Sequence, residues 1–261
     1  MPLLSSDRTM ASLSCRCGSV KLTFATTQPI WAFECCCVDC YDKNLWSCRA
    51  GGVPPPRGLE AHGEGKPLDL RYWPNRLQVT HGKDKLAFNR LREGAASVNM
   101  IAACCQTLMC VDHPFYEENV VLTFPEFCPP AGLDPAALPP PTMRVYVKDW
   151  PADQYSKLSP KAGFWREQGQ PRTEGEGAAE IRSQAARVFT TPPAEVYCGE
   201  TFQQLLQGAG GRVTSLALPE GQNSFGARAM AARRRGRLAA IGMAVAATGL
   251  AVGVAASFRK K

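Results

Sequence analysis

Three groups of cysteines carry most of the chemistry that this sequence could perform. They are "SCRCG", which contains Cys15 and Cys17, "ECCCVDC", which runs from Glu34 to Cys40, and "CCQTLMC", which contains Cys104, Cys105 and Cys110. Thiolates of this kind serve as metal ligands, redox partners or disulfide partners. The first residues, "MPLLSSDRTMASLSC", lack the apolar segment of a secretory signal. We therefore expect reduced thiols rather than disulfides.

The spacing within these groups favours metal binding. Residues i and i+2 of an extended chain point to the same side, so a C-x-C pair can aim two sulfurs at one point. Cys35, Cys37 and Cys40 combine this spacing with a C-x-x-C pair, which predicts three sulfurs around one tetrahedral ion. Cys36 would then point away as a small buried residue. A redox dithiol and scattered buried thiols are the other interpretations, and no C-x-x-C here opens a helix in a βαβ setting.

Short alternating segments predict a mainly β domain around these cysteines. "SVKLTF" has the two-residue apolar period of a half-buried strand, and "LQVTH" and "KLAFNRL" repeat it on either side of "GKD" as a predicted hairpin. "VVLTF" and "MRVYVKD" are further strand candidates. Segments with a helical period are scarce before residue 175. After about Trp165 the chain becomes polar, and we expect a flexible stalk over residues 166–236 with one short helix over Ala178–Val188.

The charge distribution points to a membrane rather than to nucleic acid. Seven of the 30 Lys and Arg residues lie in 233–261, so 23 remain against 23 Asp and Glu and the rest of the chain is neutral. No nucleic-acid partner is expected. The cations flank an uncharged segment, Leu238–Phe258, which is about long enough to span a bilayer. We expect a C-terminal transmembrane helix over 237–259, with Gly249 and Gly253 as a weak dimerisation motif.

This arrangement predicts a single-pass, tail-anchored membrane protein whose N-terminal domain faces the cytosol. The span is rich in Ala and Gly and only moderately apolar. Such spans favour the outer membrane of mitochondria or plastids over the endoplasmic reticulum.

The cysteine motifs resemble those of the glutathione-dependent formaldehyde-activating enzyme family, which includes the centromere protein V domain. The resemblance is carried by "CRCGSVKLTF", "CCCVDC", "CCQTLM" and "MRVYVKDW", and it covers about residues 12–165. It implies a β-tent fold of small twisted sheets with two Zn²⁺ sites. One site is a closed, structural site of four cysteines, and the other has three cysteines and an open position.

The resemblance also assigns the ligands. Cys15, Cys17 and Cys105 match the structural site, but Ala102 stands where the family has its first late cysteine. Cys104 or Cys110 could supply the missing ligand, and we assign the site to Cys15, Cys17, Cys104 and Cys105. Cys35, Cys37 and Cys40 match the three-cysteine site without a gap, and we assign them both metal binding and catalysis.

The implied activity is that of a carbon–sulfur lyase. A zinc ion with three thiolate ligands can take a thiol such as glutathione as its fourth ligand and lower the pKa of that thiol. A small aldehyde would then add to the sulfur or leave it. The alternative is a non-catalytic, membrane-tethered zinc scaffold for protein interaction or for sensing thiols or metals.

The other polar candidates carry weaker signals. His62, His81 and His113 are isolated, and a surface or hydrogen-bonded role is the simplest interpretation of each. Asp39 and Asp42 flank the three-cysteine motif as candidate acid/base groups or as ordinary turn carboxylates. No role is assigned to the remaining cysteines, which are Cys36, Cys48, Cys110, Cys128 and Cys198.

Overall fold

The described part of the chain is mainly β, with two sheets and few helices. The computed structural model describes residues 10–56, 58–60, 62–131, 138, 140, 141, 143–158, 162–164 and 199–218. Its strands are β1 Ser12–Ser14, β2 Lys21–Phe24, β3 Trp31–Cys35, β4 Leu68–Pro74, β5 Leu77–His81, β6 Leu86–Arg90, β7 Val98–Ala102, β8 Thr107–Asp112, β9 Val120–Thr123, β10 Pro130–Ala131, β11 Met143–Val145, β12 Ala162–Phe164 and β13 Thr214–Ser215. The predicted mainly β class is confirmed.

The strands form one small and one large sheet. The small sheet is antiparallel, in the order β10-β1-β2-β5, and the large sheet has the order β12-β11-β3-β4-β9-β8-β7-β6-β13. Strand β11 pairs in parallel with both β3 and β12, and β13 pairs in parallel with β6. The central strands β3, β4, β9, β8, β7 and β6 are joined by antiparallel pairings.

The central strands of the large sheet bury both faces, because successive side chains of a strand point to opposite sides. On β9, Val120 and Leu122 face a first core that also contains Cys35 and Cys40. Val121, between them, faces a second core shared with the small sheet. The ring of Phe24 on β2 stacks on Trp73 of β4 at a centroid distance of 4.2 Å, which packs the two sheets together in this second core.

Two α-helices accompany the sheets in the described residues, α1 at Val38–Ala50 and α2 at Phe202–Gly208, together with short 3-10 helices. The sequence did not predict α1. Its buried face includes the polar residues Lys43, Asn44 and Ser47, so no continuous apolar stripe marks it as a helix.

The predicted hairpin between "LQVTH" and "KLAFNRL" is wrong, although both strands exist. Strand β5 pairs with β2 in the small sheet, whereas β6 pairs with β7 in the large one. Gly82 between them has a φ of 67° and begins a 3-10 turn over Lys83–Lys85, which carries the chain from one sheet to the other. A Cβ at Gly82 would overlap the carbonyl oxygen of Ser19, so glycine is required at this crossing.

The segment 199–218 packs on the domain, although the sequence assigns it to the stalk. Phe202 and Leu205 of α2 are 1% exposed and belong to the second core, and β13 extends the large sheet. Thr201 caps α2 with a complete capping box, in which the Gln204 side chain accepts from the Thr201 N–H. The predicted helix Ala178–Val188 lies outside the described residues.

Neither described helix can cross a membrane. Helix α1 has 13 residues and α2 has 7, which correspond to roughly 20 Å and 10 Å against the roughly 30 Å of a bilayer core. In the part of the chain that the structure describes, no helix is long and apolar enough for a span. This finding contradicts the predicted localisation as a tail-anchored membrane protein. The predicted span, Leu238–Phe258, lies outside the described residues.

Candidate metal centres

The first cluster forms where strand β3 ends and helix α1 begins. Cys35 is the last residue of β3, Cys37 is the N-cap of α1, and Cys40 lies in the first turn of the helix. The N–H of Cys36 donates to the carbonyl oxygen of Val145 at 3.0 Å, which holds this corner against β11. The change from strand to helix turns the three thiols towards each other.

The three sulfur atoms are already close enough to share an ion. The Sγ atoms of Cys35, Cys37 and Cys40 all lie within 4.8 Å of one another, and the three residues are 0%, 8% and 8% exposed. A tetrahedral zinc ion with Zn–S bonds of about 2.3 Å needs sulfur separations of roughly 3.8 Å. We call this set the open centre, because three rather than four candidate ligands meet here among the described residues.

The open centre favours negative charge at one of its sulfurs. Hydrogen bonds from the thiols of Cys35 and Cys37 lower the pKa of Cys40 well below its usual range, and the ammonium of Lys43 acts in the same direction. Burial raises the pKa of Cys35 well above its usual range. The cluster therefore holds one thiolate readily, and a bound cation would be needed to stabilise the second and third.

The two carboxylates near the open centre differ in their surroundings. Asp39 accepts two hydrogen bonds from Nη2 of Arg92, at 2.9 and 2.8 Å, so it is held in an ion pair. Asp42 is partly buried, and burial together with the charge of Asp39 raises its pKa to about 6. The ion pair makes Asp39 a structural carboxylate of α1 rather than a free acid or base.

The second cluster unites the first and third cysteine groups of the sequence. Cys15 and Cys17 lie in the turn after β1, and Cys104 and Cys105 lie in the turn that joins β7 to β8. The Sγ of Cys15 is 3.6 Å from that of Cys17 and 3.8 Å from that of Cys104, and Cys17 and Cys104 are 3.3 Å apart. All four sulfurs lie within 4.8 Å of one another, and we call this set the closed centre.

Cys104 rather than Cys110 completes the closed centre. Ala102 is the last residue of β7 and is fully buried in the second core. The turn that follows brings Cys104 next to Cys15 and Cys17, and Gln106 closes it with a φ of 55°. Cys110 lies in the middle of β8, fully buried in the second core, and does not belong to either centre.

The closed centre is supported by hydrogen bonds from its own loop. The backbone N–H of Val20 donates to the Sγ of Cys15 at 3.2 Å. Hydrogen bonds from Ser19 lower the pKa of Cys17 to about 6. Burial opposes ionisation of Cys105, but hydrogen bonds from Thr107 outweigh it and lower the pKa of this thiol. These donors favour the thiolate form that a metal ion requires.

Arg16, between the two cysteines of the first motif, joins the closed centre to helix α1. Its Nη2 donates to the carbonyl oxygens of Ser47 and Cys105 at 2.8 and 2.7 Å. The hydroxyl of Ser47 in turn donates to the carbonyl oxygen of Gln106 at 2.7 Å and accepts from the N–H of Leu108 at 3.1 Å. The C-terminal turn of α1 is thereby fixed to the hairpin that carries Cys104 and Cys105.

Of the five cysteines without an assigned role, the four described ones lie outside both centres. Cys36, Cys48, Cys110 and Cys128 are buried, and Cys198 lies outside the described residues. None of the three histidines belongs to either candidate ligand set. His62 donates through Nε2 to the carbonyl oxygen of Cys36, His81 is exposed, and His113 accepts through Nδ1 from the N–H of Phe115.

Three residues near the centres were not found from the sequence. Lys43 lies buried on α1, Arg92 holds Asp39, and Arg16 bridges α1 to the closed centre. Only Arg16 carries a sequence signal, because it stands inside the C-x-C motif. The other two depend on a helix that the sequence did not predict.

Comparison with known proteins adds no assignment to this geometry. No protein-family model matches the chain, and no curated protein matches it. The geometry of the chain itself shows that the open centre and the closed centre could each hold a metal ion.

Proposed function

We propose that the protein is a zinc-dependent enzyme of the carbon–sulfur lyase type, acting on the adduct of a small aldehyde with a glutathione-like thiol. The observation that carries this proposal is the open centre, where Cys35, Cys37 and Cys40 converge without a fourth candidate ligand among the described residues. Three thiolates suit zinc among the common metals, and a site with three protein ligands is the usual arrangement of catalytic zinc. The resemblance to the formaldehyde-activating family and its β-tent fold belongs to the same proposal.

The two centres have different roles in this proposal. The closed centre, with Cys15, Cys17, Cys104 and Cys105, would hold a structural zinc, because four thiolates leave no position for a substrate. The open centre would hold the second zinc, which supplies the Lewis acidity that lowers the pKa of a substrate thiol. Both assignments fit the sulfur separations, which are within 4.8 Å in each cluster.

The reaction in the adding direction replaces one S–H bond by one S–C bond. The thiol loses its proton, its sulfur attacks the aldehyde carbon, and the aldehyde oxygen takes up a proton to become a hydroxyl group. The reverse direction releases the thiol and the aldehyde, so no oxidant or reductant is needed. The chain contributes three buried sulfurs on a corner that α1 and β11 hold in place.

Exchange spectroscopy on the zinc-loaded full chain tests the activity. With ¹³C-formaldehyde and glutathione, NMR magnetisation exchange gives the rate at which the hydroxymethyl adduct forms and dissociates. We expect the protein to accelerate this exchange, and Cys37→Ser to return it to the rate in buffer. Cys48→Ala is the matched control, since Cys48 is buried on the same helix but lies outside both centres. Equal rates with and without protein would contradict the activity.

A non-catalytic zinc scaffold that senses thiols or metals is the second candidate. It is favoured by the burial of the open centre, whose three cysteines are at most 8% exposed and leave little of the sulfur surface accessible. In this case the chain would still bind two zinc ions, and a thiol would bind at the open centre without accelerating exchange. Zinc content together with the exchange rate separates the two candidates.

A further inference from the structure

A lysine whose side chain is largely buried lies beside the open centre. Lys43 is on α1, one turn after Cys40, and its side chain belongs to the buried face of the helix with 3% of the residue exposed. Residues i and i+3 of a helix share one face, so Lys43 and Cys40 are neighbours there. Buried lysines normally have a charged or hydrogen-bonding partner.

Lys43 has no ion-pair or hydrogen-bond partner for its ammonium group among the described residues. In the part of the chain that the structure describes, Lys43 forms no salt bridge and no side-chain hydrogen bond. The nearest acidic neighbour along this face, Asp39, is committed to Arg92 through both of its oxygens. Asp42 precedes Lys43 directly, and adjacent residues of a helix do not face each other.

Lys43 is a close neighbour of the cysteine cluster. Lys43 follows Cys40 by one helical turn, and the Sγ of Cys40 lies within 4.8 Å of the Sγ atoms of Cys35 and Cys37. The influence of Lys43 reaches His113 beyond β8, where burial and this ammonium lower the pKa of the imidazole. Because helical side chains lean towards the N-terminus of their helix, the Lys43 side chain leans towards the turn that carries Cys40.

The charge balance of a filled centre explains why a cation belongs there. A divalent ion with three thiolates carries a net charge of −1, and a further anionic ligand makes it −2. In a buried site this second negative charge is unfavourable unless a positive charge lies nearby. A neutral fourth ligand, such as imidazole, leaves the charge at −1 and gains less from the cation.

We propose that Lys43 is the counter-cation of the open centre and makes its fourth coordination position selective for thiolates over neutral ligands. This inference rests on the proposed function, because it takes the open centre to be a metal site with a free position. Lys43 would set the ligand preference of the open centre through its charge. It would neither bind the metal nor form a covalent bond to the substrate.

Cobalt-substituted full-length protein tests the proposal without using activity. Thiolate binding at the fourth position increases the sulfur-to-cobalt charge-transfer absorption, and imidazole binding changes the ligand-field bands. We would titrate 2-mercaptoethanol and imidazole separately into the parent, Lys43→Met and Lys43→Arg at one pH. Lys21→Met is the control, since Lys21 is an exposed lysine on strand β2 of the small sheet.

Lys43→Met should weaken the binding of 2-mercaptoethanol about tenfold, the order expected for the loss of one partly buried counter-charge. It should change imidazole binding by less than about twofold. Lys43→Arg should restore most of the thiol affinity, and Lys21→Met should match the parent.

Each other outcome has a definite meaning. Equal weakening of both ligands, or no change for either, overturns the role of Lys43 while leaving the open centre intact. A parent protein that binds cobalt at the open centre but takes no thiol overturns the proposed function and this inference together. If Lys43→Met does not fold, Lys43→Gln replaces it. If both neutral variants lose the open-centre cobalt, Lys43 is needed for the metal itself and the selectivity proposal is overturned.

Discussion

The guanidinium group of Arg16 donates to the carbonyl oxygen of Ser47 at 2.8 Å, and this contact connects the two candidate metal centres. Arg16 stands between two ligands of the closed centre, whereas Ser47 lies in the last turns of the helix whose first turn contains Cys40. The same guanidinium binds the carbonyl oxygen of Cys105 at 2.7 Å. One rigid helix therefore has a candidate metal centre at each of its ends.

Gly51 makes this connection possible, and Gly51→Ala should weaken it. A Cβ at Gly51 would overlap Nη2 of Arg16 and would come within 2.6 Å of the carbonyl oxygen of Cys105. Displacing the guanidinium leaves two carbonyl groups without their charged donor, so we expect a loss of about 1–3 kcal/mol in the free energy of unfolding. Denaturant unfolding of the zinc-loaded chain measures it.

Gly208→Ala is the matched control for this substitution. Gly208 ends helix α2, and a Cβ there meets nothing within 4 Å. Its stability should equal the parent or exceed it slightly, by at most about 1 kcal/mol. A Gly51→Ala protein as stable as the parent would show that Arg16 can leave Ser47 without loss.

Cys104→Ser should remove the zinc-dependent part of the stability that the closed centre contributes. A structural zinc site contributes several kcal/mol to folding, and three remaining thiolates bind the ion more weakly. We expect elemental analysis after mild chelation to find less than one zinc ion per chain, and the unfolding free energy to depend less on added zinc. The parent should retain one tightly bound ion under the same conditions.

Cys110→Ser provides the comparison, because this cysteine is fully buried but lies outside both centres. A buried hydroxyl group in the second core should destabilise the chain by about 1–3 kcal/mol with or without zinc. The zinc content should equal that of the parent, both before and after mild chelation. If Cys110→Ser lost an ion and Cys104→Ser kept both, the fourth ligand of the closed centre would be Cys110.

His113 should make the chain less stable as the pH falls. Burial lowers the pKa of His113 to about 4, from an ordinary value of 6.5. Its Nδ1 accepts from the N–H of Phe115 at 3.0 Å, which requires this nitrogen to be unprotonated. Below pH 6.5 the imidazole of the unfolded chain becomes protonated, whereas that of the folded chain stays neutral until about pH 4. The free energy of unfolding therefore decreases as the pH falls through this range.

The difference between the parent and His113→Asn isolates this contribution. Between pH 7.5 and 5.0 the parent should lose about 1 kcal/mol more than the variant, a value reduced for the partial exposure of the ring. Asp112, whose pKa is raised to about 6 by burial, acts in the opposite direction but is common to both proteins. Parallel stability curves for the two proteins would contradict the assignment.

Leu205→Ala should show that segment 199–218 is part of the folded domain. Leu205 is 1% exposed in the second core, and truncating a fully buried leucine costs about 2–5 kcal/mol. Leu216→Ala is the control, since Leu216 is only partly buried and its strand contact is a backbone hydrogen bond to Arg90. A small, equal effect of both substitutions in thermal unfolding would mean that α2 is not docked in solution.

The sequence alone determined where several of the strands form and which three cysteines meet in the open centre. Alternating residues predicted β2, because burying one face of a sheet imposes a two-residue period, and short runs rich in valine indicated β9 and the start of β11. The C-x-C and C-x-x-C spacings predicted the open centre for the same reason, since its three ligands are only five residues apart and their geometry is local. The strand predicted over Met143–Asp149 ends early, because Tyr146 adopts a left-handed conformation with a φ of 56°.

The tertiary structure decided everything that depends on distant parts of the chain. Local patterns report the period of a strand but not its partner, so β5 and β6 looked like a hairpin and lie in different sheets. Helix α1 was not predicted because its buried face carries the polar residues Lys43, Asn44 and Ser47, so the sequence shows no continuous apolar stripe there. The choice between Cys104 and Cys110 likewise required the turn after β7, since a ligand is selected by its position in space and not by its distance along the sequence.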